Sequence, residues 1–146
     1  MNDKNKKSSN DPEVTLLYCQ HAIHDEAKGS DWSQHASGVS VRATMMPCSS
    51  KIEVPYILKI LESGVDAVEI VACPEKNCKF LIGSCRAEKR IEYIRRLLEE
   101  IGYEPQRVGI TKKLSQSPEK LIQIARSRAD AVRSFEINPM KKGEHK

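Results

Sequence analysis

The stretch "SSKIEVPYILKILESGVDAVEIVAC", Ser49 to Cys73, holds a helix, a stop signal and a strand in direct succession. Val54, Ile57, Leu58 and Leu61 recur at i, i+3, i+4 and i+7, the spacing of one apolar helical face. Ser50, with Glu53 three residues later, has the pattern of a capping box. Pro55 fits only the first helical turn, because further in it would remove a hydrogen bond and clash with the preceding turn. Gly64 suits the left-handed position that ends a helix. "DAVEIVA" (Asp66–Ala72) then reads as a short buried strand, and Cys73 follows it immediately.

Outward from this unit the alternation continues. "VTLLY" (Val14–Tyr18) is a short apolar run with β-branched and aromatic residues, and "VSVRATMM" (Val39–Met46) alternates; both predict strands. A second helix carries Ala87, Ile91, Ile94, Leu98 and Ile101 on one face, with Gly102 just past its end. "RVGIT" (Arg107–Thr111) predicts a fourth strand. Ser117 and Pro118 fit the cap and first position of a last helix, which turns Leu121, Ile124, Ala125 and Val132 inward and runs to about Ser134. Strands alternating with helices predict an α/β fold: a mainly parallel four-stranded sheet with flanking helices, flavodoxin-like or Rossmann-like. The polar segment Gln20–Gly38 has no clear period and reads as a loop with one helical turn; it holds three of the four histidines and the only tryptophan. Residues 1–12 and 138–146 read as disordered tails around a single domain, 13–137.

The 146-residue chain has 39% hydrophobic and 30% charged residues, a globular composition. Its net charge of +4 lies partly in the tails, with 5% aromatic residues and no dense basic stripe, which argues against nucleic-acid binding. No apolar run reaches the roughly 18–20 residues of a membrane span, and no apolar segment follows the N-terminal lysines as in a signal peptide. A cytoplasmic location is expected. In that reducing compartment five cysteines point to metal or redox chemistry rather than disulfides.

Their placement is informative. Cys19 follows the first strand, Cys48 follows the second by about two residues, Cys73 follows the third, and Cys78 lies in the same loop. The carboxyl ends of parallel strands share one edge, where α/β folds bind ligands. Four thiols are therefore expected to converge there. Structural zinc sites favour paired C-x₂-C spacings, whereas four thiolates from three loops suit a [2Fe–2S] or [4Fe–4S] cluster at least as well. Both metals stay open on spacing alone. No G-x-G-x-x-G, no G-K-[ST] loop and no C-x-x-C is present. Cys19 with His21 and His24 is a nucleophilic pair on paper only, since histidines in polar loops are usually solvated.

The run "CPEKNCKFLIGSCRAEKRIEYIRRLLEEIGYEP" (Cys73–Pro105) is similar to the signature of the delta subunit of methyl-viologen-reducing hydrogenase. That family pattern has a G-C-H-x-G-D-C-like loop, a G-N-x-R-A-E-x-R segment, and a long helix ending E-x-G-I-x-x-x-R. Cys73 and Cys78 match the loop; Gly83, Arg86, Ala87, Glu88 and Arg90 match the segment; Gly102 and Arg107 match the helix end. "MMPCSSK" matches an M-C-S-G-R stretch through Cys48 and Ser49, and "YCQHA" matches C-x-W-C through Cys19. The resemblance covers about residues 14–134. Ala22 replaces a family cysteine, Cys85 an aromatic, and Pro74 and Lys76 the loop histidine and glycine.

The resemblance implies a non-catalytic electron-transfer subunit of an anaerobic oxidoreductase complex. Cys19, Cys48, Cys73 and Cys78 would hold one [2Fe–2S] cluster, and Cys85 would be a packed helical residue. The implied partners are a heterodisulfide reductase-like subunit carrying FAD, and a hydrogenase or other reductase subunit. Lys76, Lys79 and Arg86 would stabilise the reduced cluster or form a docking rim. The competing readings are a zinc-binding or metal-free assembly adaptor, and a cysteine-dependent redox enzyme using Cys78 or Cys85.

Overall fold

The computed structural model describes residues 11–19, 32–36, 38–46, 53–72, 83–112 and 118–135. Its elements are β1 (Glu13–Cys19), β2 (Trp32–Ala36), β3 (Val39–Met46), α1 (Val54–Glu62), β4 (Ala67–Ala72), α2 (Gly83–Glu100), a 3₁₀ turn (Pro105–Arg107), β5 (Val108–Lys112) and α3 (Pro118–Val132). The sheet order is β2-β3-β1-β4-β5. β3, β1, β4 and β5 are mutually parallel, as predicted, and β2 adds an antiparallel strand at one edge.

β2 lies inside the segment expected to be a loop with a helical turn. Ala36 pairs with Val39, leaving two residues for the turn, and Gly38 has φ 85. A two-residue hairpin turn demands positive φ, which glycine adopts without steric cost. The Gly38 carbonyl also accepts a 2.8 Å hydrogen bond from Arg133 Nη2, just beyond α3.

β1 and β4 are buried on both faces because both are covered. Leu17, Val68, Ile70, Ala72 and Val108 pack against Ile57 and Leu61 of α1 and Ile91, Ile94 and Leu98 of α2. Val14, Leu16, Tyr18, Val41, Ala67 and Val71 pack against Leu121, Ala125, Ala129 and Val132 of α3. Such two-sided burial is what makes parallel strands read as continuous apolar runs.

Two helix details differ from expectation. Glu53, not Ser50, is the cap residue of α1; it is extended at φ −114 and ψ 147 and makes no side-chain cap bond. Ser50, like Ser117, falls outside the described residues. Ile101, expected on the buried face of α2, is 65% exposed. The helix ends at Glu100, and Gly102 at φ 87 completes a Schellman turn: Tyr103 N donates to Leu98 O at 2.8 Å, and Gly102 N to Glu99 O at 3.2 Å. That turn redirects the chain before Ile101 reaches the core.

Candidate functional site

The pairing register aligns the strand ends. Cys19 is level with Met46 of β3, and Tyr18 with Val71 of β4, so Cys19 also stands level with Ala72. Val71 and Ala72 pair with Thr111 and Lys112 of β5. Cys48 lies two residues beyond Met46 in sequence, and Cys73 one beyond Ala72. Neighbouring strands sit about 4.8 Å apart, so the ends of β3, β1 and β4 span only about 10 Å. The chain passes from β1 to β3 on one side and later to β4 on the other. The strand order therefore reverses at the β1–β4 boundary, the position where open α/β sheets place ligands.

Cys19 is 2% exposed and packs with the α3-side core cluster. Cys48, Cys73 and Cys78, together with His21 and His24, lie outside the described residues; Cys85 is in the first turn of α2. Among the described residues no group of three or more His, Cys, Asp or Glu side chains converges to hold a metal. A thiol at the carboxyl end of the central strand, flanked in sequence by further cysteines just past both neighbouring strands, is a donor set that fits a thiolate-ligated cluster.

Polar contacts brace this edge and its supports, and the pattern of periodic residues does not reveal them. Lys112 Nζ, at the end of β5, pairs with Glu88 Oε2 at 2.7 Å, fixing the second turn of α2 at the carboxyl edge. Glu88 lies in the segment that resembles the hydrogenase family, so its motif position has a structural reason here. Deeper, the Glu69 carboxylate of β4 accepts from Arg128 Nε of α3 at 2.7 Å and from Thr111 Oγ1. Arg128 Nη1 also donates to Gln106 O at 3.0 Å. A Cβ at Gly109 would displace the Arg128 guanidinium from where it crosses β5. The sequence signal for this cluster is the lone glutamate within "DAVEIVA": a carboxylate in a buried strand demands a cation or donors.

At the opposite edge Arg107 is 1% exposed. Its Nε donates to Glu104 Oε1 at 2.7 Å, its Nη1 to Asp66 O at 3.0 Å, and its guanidinium lies 5.8 Å from the Phe135 ring centroid. Asp66 in turn accepts from Glu13 N through Oδ2 at 2.8 Å. Burial pushes the Glu104 carboxyl up, but the Arg107 hydrogen bond, a backbone hydrogen bond and the guanidinium charge outweigh it and hold the group below its ordinary value. A carboxyl lowered on folding contributes stability that is complete above its unfolded value and is lost as pH falls through the folded value. Wild type is therefore expected to lose more stability than Glu104→Gln between about pH 5 and about pH 3, as followed by urea midpoints. Parallel pH profiles would contradict the assignment.

The chain matches the family described as "Methyl-viologen-reducing hydrogenase, delta subunit" over residues 14–136. It belongs to that family. Among its relatives, the F420-non-reducing hydrogenase vhu iron-sulfur subunit of Methanocaldococcus jannaschii is 24% identical over 131 residues, covering 90% of this chain and 98% of the other. The corresponding iron-sulfur subunit of Methanopyrus kandleri is 29% identical over 112 residues, covering 77% and 82%. The chain is also similar to part of one subunit of the ferredoxin:CoB-CoM heterodisulfide reductase of Methanosarcina mazei, 29% identical over 91 residues, which cover 62% of this chain but 11% of that protein. A delta-family module thus occurs both on its own and within a much longer heterodisulfide reductase polypeptide. The family assignment makes this chain a component of a redox complex. Among its described residues no helix is long and apolar enough to cross a membrane.

Proposed function

We propose that this delta-family chain is a cytoplasmic electron-transfer subunit whose single domain, residues 13–137, carries one [2Fe–2S] cluster. Cys19, Cys48, Cys73 and Cys78 are its ligands. The observation that carries this reading is the register that puts Cys19 level with the ends of β3 and β4, which Cys48 follows by two residues and Cys73 by one. Its relatives' designation as iron-sulfur subunits supports it.

When bound, the cluster supplies one-electron redox chemistry. The protein's own residues do the rest. Cys19 ends β1 beside the β1–β4 boundary, and the core around it excludes water from one side of its thiol. The Lys112–Glu88 pair holds the start of α2 against the same edge. Electrons pass between a heterodisulfide reductase-like subunit bearing FAD and a hydrogenase or other reductase subunit. The embedding of a similar module in a heterodisulfide reductase polypeptide supports the first of these partners.

Anaerobic purification with assays of iron, sulfide and zinc tests the reading. About two irons and two sulfides per chain are expected, with visible absorption that bleaches on dithionite. One tightly held zinc and a colourless protein would instead establish the adaptor.

A further inference from the structure

α2 starts at the carboxyl edge, as the Lys112–Glu88 pair shows, and runs back towards the opposite edge. Arg86, Lys89, Tyr93 and Arg96 are all exposed along it. Their spacing of i, i+3, i+7 and i+10 places them on one stripe of the helix. Among the described residues no carboxylate pairs with Arg86, Lys89 or Arg96. Other arginines are committed internally: Arg95 to Val108 O, Arg107 to Asp66 O and Glu104, Arg128 to Glu69, and Arg133 to Gly38 O. Tyr93 is 47% exposed, and the Arg96 guanidinium lies 5.9 Å from its ring centroid.

Three exposed cations without a carboxylate partner among the described residues flank a half-exposed tyrosine on one helix face. Glu92 borders the stripe, and Glu100, at i+14, ends it with a carboxylate in the last turn. Arg86 and Lys89 thus lie in the half of α2 nearer the carboxyl edge, and Arg96 lies one turn before Glu100. Tyrosine and arginine are the side chains enriched where protein partners dock, and cations of one sign steer an oppositely charged surface into register. Nucleic acid is disfavoured, because a groove-tracking site needs several stacking aromatics and a longer basic path.

We infer that the Arg86–Lys89–Tyr93–Arg96 stripe of α2 is the docking surface for an acidic face of the redox partner, so that the partner meets this chain beside the carboxyl edge. The inference rests on the proposed electron-transfer reading, because that reading supplies the partner. The stripe satisfies the charge of the partner rather than that of its own chain, and its Arg86 end lies towards the carboxyl edge at which β1 ends in Cys19.

The test uses the full chain, purified anaerobically, and the heterodisulfide reductase-like flavoprotein of the same organism. Wild-type binding is expected to weaken steeply as salt rises, because exposed charges are screened over about 10 Å at 0.1 M. The triple variant Arg86→Glu, Lys89→Glu, Arg96→Glu is expected to bind at least about ten-fold more weakly at low salt. Lys120→Glu, on exposed α3, should bind like wild type. If the reversed variant is misfolded by circular dichroism, the neutral set Arg86→Gln, Lys89→Gln, Arg96→Gln replaces it, with a flattened salt dependence expected. Tight, salt-insensitive wild-type binding that the stripe variants leave unchanged overturns the inference while the electron-transfer reading stands. No wild-type binding at any salt removes the partner, and both fall. Competition for the stripe by a single-stranded oligonucleotide at physiological salt would reassign it to nucleic acid and also overturn the proposal.

Discussion

Cys73→Ser is expected to leave the protein folded and strip it of its iron, sulfide and visible absorption. Cys73 follows β4 without a gap, one residue past the level of Cys19, so on the proposed reading its thiolate is a ligand beside that of Cys19. A serine hydroxyl stays protonated near neutrality and is a far poorer ligand for iron than thiolate. Cys48→Ser should behave likewise. For Cys19 the informative change is Cys19→Ala, since the side chain is buried among apolar residues and a serine there would add an unsatisfied hydroxyl to the loss of a ligand. Cys85→Ser, in the first turn of α2, should keep a full complement of iron. Loss of the cluster in the Cys85 variant, measured as iron per chain, would show that the ligand set includes the wrong thiol.

The second large effect concerns stability. Arg128→Ala leaves the Glu69 carboxylate, 2% exposed, with Thr111 as its remaining side-chain donor. Removing one partner of a buried ion pair typically costs about 3–5 kcal/mol. That is a large share of the roughly 5–15 kcal/mol by which domains are stable. Arg128 is itself 18% exposed, which places the expected loss near the lower end, about 3 kcal/mol. The double variant Glu69→Leu, Arg128→Met removes charge and countercharge together and should recover most of the loss. Urea unfolding of the two singles and the double measures the coupling. A loss under about 1 kcal/mol in Arg128→Ala would mean the pair is solvated and not a strut between α3 and the sheet.

The elements most visible in the sequence are those whose burial imposes a period. β3 spans Val39–Met46 as expected, and α1 and α2 bury the anticipated Ile57, Leu61, Ala87, Ile91, Ile94 and Leu98. β2 is not legible because "WSQHA" is polar and aperiodic; an edge strand gains its hydrogen bonds from a neighbour, which local composition does not encode. Ile101 continues the apolar period of α2, but the Gly102 turn cuts it off from the core. The expected convergence of cysteines follows from the strand ends alone, since parallel pairing forces those ends together. The Glu69–Arg128 and Lys112–Glu88 pairs join residues far apart in sequence, and periodicity carries no information about such partners. Glu69 announces only that a partner exists.

The central position of β1 also dictates the order in which the site can come into being. β1 emerges from the ribosome before every other described strand, yet its edges are covered by β3 and by β4, with Glu13 meeting Asp66 across 53 residues of chain. Such non-local pairing makes the closing of the sheet a late and comparatively slow event. Until β4 arrives, the nascent Cys19 thiol has only one of its two flanking strands and stays open to solvent and oxidants. Anything held by Cys19 and Cys73 together can therefore assemble only after β4 has been synthesised and has paired with β1.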